Sequence, residues 1–205
     1  MHTEILEEGT KRVLDKIRGT DLLADFYMVG GTALALHYGH RKSIDLDFFS
    51  PKDFSLPHLK KSVSELGNYT LENEEPGTLD GILDEVKLTF LRYEYPLLFP
   101  LISFDNIRLA DPRDIACMKL DAISSRGSRK DFIDLFMLLE YFTLPELFEL
   151  FKKKYSGIEY NKLHIIKSLS YFDDAEEEPM PIMLRNISWD EIKDKIIEEA
   201  RALVA

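Results

Sequence analysis

The chain has 205 residues, 45% hydrophobic and 31% charged, an ordinary globular composition with enough apolar material for one domain or two small ones. A net charge of −11 argues against a generic nucleic-acid coat while leaving room for a local basic patch. A single cysteine, Cys117, excludes a disulfide framework and a cysteine-rich zinc site, and neither a membrane-length apolar run nor a signal peptide is legible, so a cytoplasmic protein with no membrane partner is expected.

Helical spacing of Ile5, Leu6, Val13, Leu14 and Ile17 predicts an amphipathic helix over Thr3–Arg18. Phe26–Val29 reads as a short buried strand ended by the Gly30-Gly31 turn, with a helix over Thr32–His37 after it. Alternation of Ile44, Leu46 and Phe48 with Asp45 and Asp47 predicts a half-buried strand over Ser43–Phe49. A helix is expected over Leu56–Leu66. Tyr69–Glu72, Thr78–Leu83 and Val86–Tyr93, broken by Pro76-Gly77, read as antiparallel strands, with Ile107–Leu109 as one more.

From Asp111 the pattern turns helical. Asp111-Pro112-Arg113-Asp114 and Ser128-Arg129-Lys130-Asp131 are helix starts, the second helix running to about Phe142. Further helices are expected over Pro145–Lys154, Asn161–Phe172 and Ser188–Leu203, with Asp173–Pro181 as an exposed acidic loop. Lys152, Lys153 and Lys154 read as a solvated helix face. The expected plan is α+β: an α/β domain with a mixed sheet over residues 1–110, then a C-terminal helical bundle over 111–205.

Three clusters carry chemistry. Gly30 and Gly31 permit positive φ and close backbone approach, and a helix opening at Thr32 would aim N–H groups and its positive dipole end at an anion such as a triphosphate. Asp45 and Asp47, two apart on a strand, would share one face, where a hard divalent cation relieves their repulsion. Arg41 and Lys42 in the preceding turn would neutralise phosphate or pair with these acids. His37 and His40 lie near, but magnesium prefers oxygen ligands, and His37 reads as a packing or surface residue. In the helical half, Lys119 falls on an apolar stripe with Ile115, Ala122 and Ile123, and Asp131 and Asp134 point inward from the next helix. They would form a buried ion pair that fixes packing, or Lys119 would reach a triphosphate while the acids position it. The two roles are compatible.

Together these residues resemble the DNA polymerase β-like nucleotidyltransferase superfamily, marked by a glycine turn followed by a D-x-D strand. The stretches Met28–Phe49, Val86–Leu98 and Lys119–Leu135 resemble, more narrowly, the AbiEii toxin family, which includes MenT-type toxins and the toxin halves of abortive-infection and type IV toxin–antitoxin pairs. The resemblance covers about Phe26–Leu139. It implies a nucleotidyltransferase with Gly30, Gly31 and Thr32 on the phosphates and Asp45 and Asp47 on Mg²⁺ or Mn²⁺. Lys119, Asp131 and Asp134 would complete a site in a cleft that the helical domain closes. Ser43 falls where related toxins can carry a modifiable serine, or simply starts the strand. The implied substrate is a nucleoside triphosphate, the implied acceptor a tRNA 3′ end, and the implied partner a winged-helix antitoxin. Transfer to a protein or a small molecule, and a catalytically inactive nucleotide-binding module, are the alternatives. The superfamily usually adds a third carboxylate on a later strand. Here Val86-Lys87-Leu88 puts lysine at that place, leaving Asp84 or Glu85 to enter through a bulge or a second metal held less completely.

Overall fold

A computed structural model describes residues 1–203 of the chain, so residues 204 and 205 of the expected helical unit lie outside the described residues. The chain divides into two compact units: Met1–Pro96 with Pro100–Asp111, and Leu97–Phe99 with Pro112 onwards.

The first unit is built on a mixed seven-stranded sheet. Its strands are β1 (Tyr27–Val29), β2 (Leu46–Ser50), β3 (Tyr69–Glu75), β4 (Thr78–Leu83), β5 (Val86–Arg92), β6 (Ile102–Phe104) and β7 (Ile107–Leu109), in the order β3-β4-β5-β2-β1-β7-β6. β2 runs antiparallel to β1 and parallel to β5, and β1 runs parallel to β7. The hairpins follow from local turn chemistry. Gly77 supplies the positive φ after Pro76, while Asp84-Glu85 and Asp105-Asn106 adopt the two consecutive left-handed conformations that a two-residue hairpin needs.

Strand alternation divides the sheet into two faces. Leu46 and Phe48 of β2 lie in register with Leu88 and Phe90 of β5, and all four are buried. Phe48 stacks on Phe90 at 5.3 Å, and Phe26 meets the same ring edge-on at 5.1 Å. Each such buried side chain stabilises the unit by about 1.5–3 kcal/mol. Helices α1 (Glu8–Arg18) and α3 (Leu56–Ser64) pack on the sheet through Val13, Leu14, Ile17, Leu59 and Val63. The other face, with Asp47, Phe49, Asp80, Thr89 and Leu91, is half-buried.

Helix α2 (Gly30–Tyr38) leaves β1 without a loop, is apolar on nearly every side, and ends on Gly39 in the left-handed conformation. Two sequence expectations change here. The helix expected from Thr3 is a short 3-10 turn at Thr3–Ile5 followed by α1. The strand expected from Ser43 begins at Leu46, because residues before it are held by other partners. Ser43 bridges to Leu6, and Thr10 donates its hydroxyl to the Ile44 carbonyl at 3.3 Å. Ile44 is consequently 46% exposed rather than a core anchor.

The second unit contains α4 (Pro112–Ser125), α5 (Arg129–Leu138), α6 (Leu144–Lys154), α7 (Lys162–Ser168), α8 (Asp173–Glu177) and α9 (Trp189–Ala202). Helix α4 contacts α5, α6 and α7, and α5 contacts α8 and α9. Reciprocal capping boxes start α6 (Thr143 with Glu146) and α9 (Ser188 with Glu191), satisfying first-turn N–H groups that no helical partner reaches. The acidic connector expected as a loop contains α8, whose Ala175 is buried. Among the described residues no helix is long and apolar enough to cross a membrane.

Candidate active site

The β1–α2 junction is shaped by one glycine. Gly30 has φ +70°, and a methyl group built on it would overlap the Asp47 carboxylate. Register explains the encounter: Asp47 is the β2 partner of Val29, the residue before Gly30. A side chain at position 30 would therefore meet both backbone strain, roughly 1–2 kcal/mol, and the acid itself. Gly30→Ala is expected to lower the melting temperature by a few degrees and to displace Asp47. A variant with unaltered nucleotidyl transfer would remove this packing from the site.

Past Gly30, the first turn of α2 presents backbone N–H groups that have no helical acceptor, those of Gly31 and Thr32 among them. The Thr32 side chain itself turns inward, donating its one hydroxyl proton to the Asp45 carbonyl and accepting from the Ser43 hydroxyl at 2.8 Å. This ties the helix start to the residue just before β2, so Asp45 is positioned by its backbone while Asp47 is positioned by the strand. Both acids are half-buried. Ser43 is buried in that hydrogen bond. Arg41, also buried, donates to the Lys42 carbonyl at 3.0 Å. His37 lies against the Ala110 carbonyl at 3.1 Å, and burial holds its pKa below the ordinary value.

Register determines which residues lie beside Asp47. On β5 the residue beside Asp47 is Thr89, followed across the sheet by Asp80 of β4. Lys87 lies two residues earlier on the strand, 3.9 Å from Glu72. The pairing of β4 with β5 is continuous, so no bulge shifts Asp84 or Glu85 into the sheet. Asp84 instead pairs with Lys16 and accepts the Asn68 N–H at 3.0 Å, which keeps its pKa low.

Among the described residues no three His, Cys, Asp or Glu side chains converge to hold a metal by themselves. Asp45 and Asp47 nonetheless fit a magnesium-type ion, which is commonly held by one or two carboxylates and completed by substrate phosphate and water. The glycine cradle that lets Asp47 close onto the helix start suits the same chemistry.

In the second unit, Lys119 of α4 bonds both inward acids of α5: its ammonium is 2.8 Å from Asp131 and 2.7 Å from Asp134. The Ser128 hydroxyl donates to the other Asp131 oxygen at 2.8 Å, and Arg126 lies 3.8 Å from it. Burial alone would raise the Asp131 pKa, but the Lys119 charge and the hydrogen bonds from Lys119 and Ser128 outweigh it. The folded value therefore lies below the ordinary 3.8. Its stabilisation is fully present above that ordinary value and is lost as pH falls through the depressed folded one. Denaturant melts between about pH 5 and 2 should show a flatter profile for Asp131→Asn than for the native chain, and equal profiles would contradict this assignment.

Sequence reasoning missed a second buried pair. Lys154 of α6 bonds Asp114 of α4 at 2.8 Å with both side chains fully buried, so the basic run at the end of α6 is not simply a solvated face. Asp114 also accepts the Leu98 and Phe99 N–H groups at 3.1 Å. Beside this pair Cys117 is fully buried and its pKa is pushed up to about 12 by burial, so it remains a thiol at neutral pH. Arg129, at the first position of α5, serves structure: it donates to the Ala175 and Glu176 carbonyls and lies over the Trp189 ring at 4.8 Å.

A glycine turn and a helix N-terminus closing on a D-x-D carboxylate, carried by a mixed sheet, form the arrangement expected of a nucleotidyltransferase. Residues 12–203 match the family described as "Nucleotidyl transferase AbiEii toxin, Type IV TA system". The chain belongs to this AbiEii nucleotidyltransferase family. It is 41% identical over 179 residues to an uncharacterized protein of Aquifex aeolicus (strain VF5), covering 84% of this chain and 86% of that one. Its fold is similar to that of MenT4, a nucleotidyltransferase toxin of Mycobacterium tuberculosis H37Rv, with TM-score 0.60 and 13% identity over 97% of this chain and 86% of that chain. The JHP933 protein of Helicobacter pylori is likewise similar in fold, with TM-score 0.57 and 18% identity over 98% and 90% of the two chains.

Proposed function

We propose that the protein is the cytoplasmic toxin of a toxin–antitoxin or abortive-infection pair, transferring a nucleoside monophosphate from a nucleoside triphosphate to a tRNA 3′ end. The observation that carries this reading is the Asp47 carboxylate seated on Gly30 at the start of α2, which brings an anion-binding helix end and a cation-binding acid together. The family membership supports the chemistry, and the toxin named MenT4 is a structural relative.

In this reading the Gly31 and Thr32 N–H groups bind phosphate oxygens, and the Thr32 hydroxyl keeps that turn in place. Asp45 and Asp47 hold a divalent cation, which when bound neutralises triphosphate charge and supports the leaving group. Arg41 and Ser43 shape the phosphate side of the turn. Lys119, with Asp131 and Asp134, forms a buried ion-pair cluster that fixes α4 against α5. The acceptor hydroxyl attacks the α-phosphorus in line and gives up its proton to solvent, a new phosphorus–oxygen bond replaces the bond to the β-phosphate, and pyrophosphate leaves. Such chemistry is chiefly positioning and electrostatics, so a protein nucleophile is not required. The winged-helix antitoxin would be the regulatory partner.

The acidic balance of the chain favours a second reading, with a protein or small-molecule hydroxyl as acceptor. Four labelled nucleoside triphosphates, incubated with magnesium and total RNA or with cell extract, separate the two. Label that survives protease and is removed by RNase supports the RNA acceptor. Label removed by protease, or recovered in a small molecule, supports the second. No label under any condition contradicts nucleotidyl transfer.

A further inference from the structure

We infer that the groove at the C-terminal end of α6 is a docking surface for single-stranded RNA. The inference rests on the RNA-acceptor reading and deepens it by naming where the strand is held. The groove has a volume of about 530 Å³ and is lined by Lys152, Lys153, Tyr155, Ser156 and Tyr160, with Glu149 as its acid. Its floor is rigid. Tyr155 and Phe151 are buried against each other at 4.5 Å, and Tyr160 meets Phe151 edge-on at 5.0 Å. The buried pair between Lys154 and Asp114 pins the same helix end. Three consecutive lysines are thus divided by function: the last is a core residue, and the first two are exposed at the groove.

Charge separates this surface from others on the molecule. Most cations elsewhere are already neutralised within the fold, as in Lys52 with Asp25, Lys60 with Glu74, Arg185 with Glu140 and Lys193 with Glu176. Lys152 and Lys153 make no ion pair among the described residues. Lysines at a helix C-terminus also complement its dipole, but the dipole does not call for an aromatic groove beside them. Two adjacent ammonium groups bordering half-buried tyrosine suit a flexible polyanion whose bases can stack, which is the chemistry of a single strand rather than of an acidic peptide. Arg129 at the start of α5 does not serve as well, since it is committed to carbonyls and Trp189.

The test measures binding of a short fluorescent single-stranded RNA by the full chain, by anisotropy across a salt series. Lys152→Ala with Lys153→Ala should weaken binding and reduce the slope of log K against log salt by about 1.4, since each phosphate contact to a single strand contributes about 0.7. Tyr160→Ala should weaken it by about fivefold to a hundredfold, the range for losing one base stack, and Tyr160→Phe should restore native binding. Unchanged melting of the lysine variant establishes that folding is intact. Native affinity and slope in that variant would overturn the proposal, as would a native chain with no measurable RNA binding. Equal loss of RNA and heparin binding in the lysine variant, with Tyr160→Ala inert, would overturn it in favour of a generic polyanion surface. Asp47→Asn should bind RNA as the native chain does, so the failure of this docking surface and the failure of nucleotidyl transfer are read separately.

Discussion

Asp47→Asn and Asp45→Asn are each expected to lower nucleotidyl transfer by about a thousandfold or more while leaving the fold intact. The size follows from the role: a carboxylate that holds a charge-neutralising cation contributes several kcal/mol to the transition state, and about 4 kcal/mol is a factor of a thousand. The substitution keeps side-chain volume and removes only charge, so the loss should be read on a folded chain. Lys87→Ala provides the contrast. Because Thr89, not Lys87, is in register with Asp47, this variant should keep transfer within about twofold of the native rate. Pyrophosphate release, measured alongside thermal melting, checks all three. Full activity in either Asn variant would exclude these acids from the chemistry, and a large loss in Lys87→Ala would mean that the strand register does not govern the site.

That contrast also marks how far the sequence could be read. The glycine turn and the two acids stand out because they are local: a tight turn, a helix start and an alternating strand occupy some twenty neighbouring positions. Lys119, Asp131 and Asp134 are legible for a related reason, since helical periodicity places charges on apolar stripes where they need partners. The neighbour of Asp47 is a different matter. β2 and β5 are parallel and far apart in the chain, so no turn fixes their register, and alternation alone does not say which residue lies opposite. β6, only three residues long and centred on Ser103, has too little pattern to be seen. The boundary of β2 was missed because Ser43 and Ile44 are held by Leu6 and Thr10, contacts more than thirty residues distant in sequence.

The pair between Lys154 and Asp114 was illegible for the strongest version of that reason, and breaking it should have the largest effect on stability. Forty residues separate the partners, and each has an innocent local reading: Asp114 as a first-turn acid of α4, Lys154 as the end of a basic run. In the fold both are fully buried, and Asp114 also accepts hydrogen bonds from two backbone N–H groups of the stretch Leu97–Phe99. Asp114→Ala removes one charge, strands the other in the core and leaves those donors without their acceptor. The expected cost is about 3–5 kcal/mol, a fall in melting temperature on the order of 10 °C for a chain of this size. Lys154→Met should cost less, because the remaining carboxylate keeps its N–H partners and can take up a proton. The double variant Asp114→Asn with Lys154→Met should recover much of the loss, since it removes both charges while an amide oxygen still faces the backbone donors. Chemical denaturation of Asp114→Asn, Lys154→Met and their double variant gives the coupling energy directly. A coupling below about 0.5 kcal/mol would show that the two residues contribute independently, and that this stretch owes its place in the second unit to other contacts, such as the Arg113 guanidinium over the Phe99 ring at 3.5 Å, rather than to the buried pair.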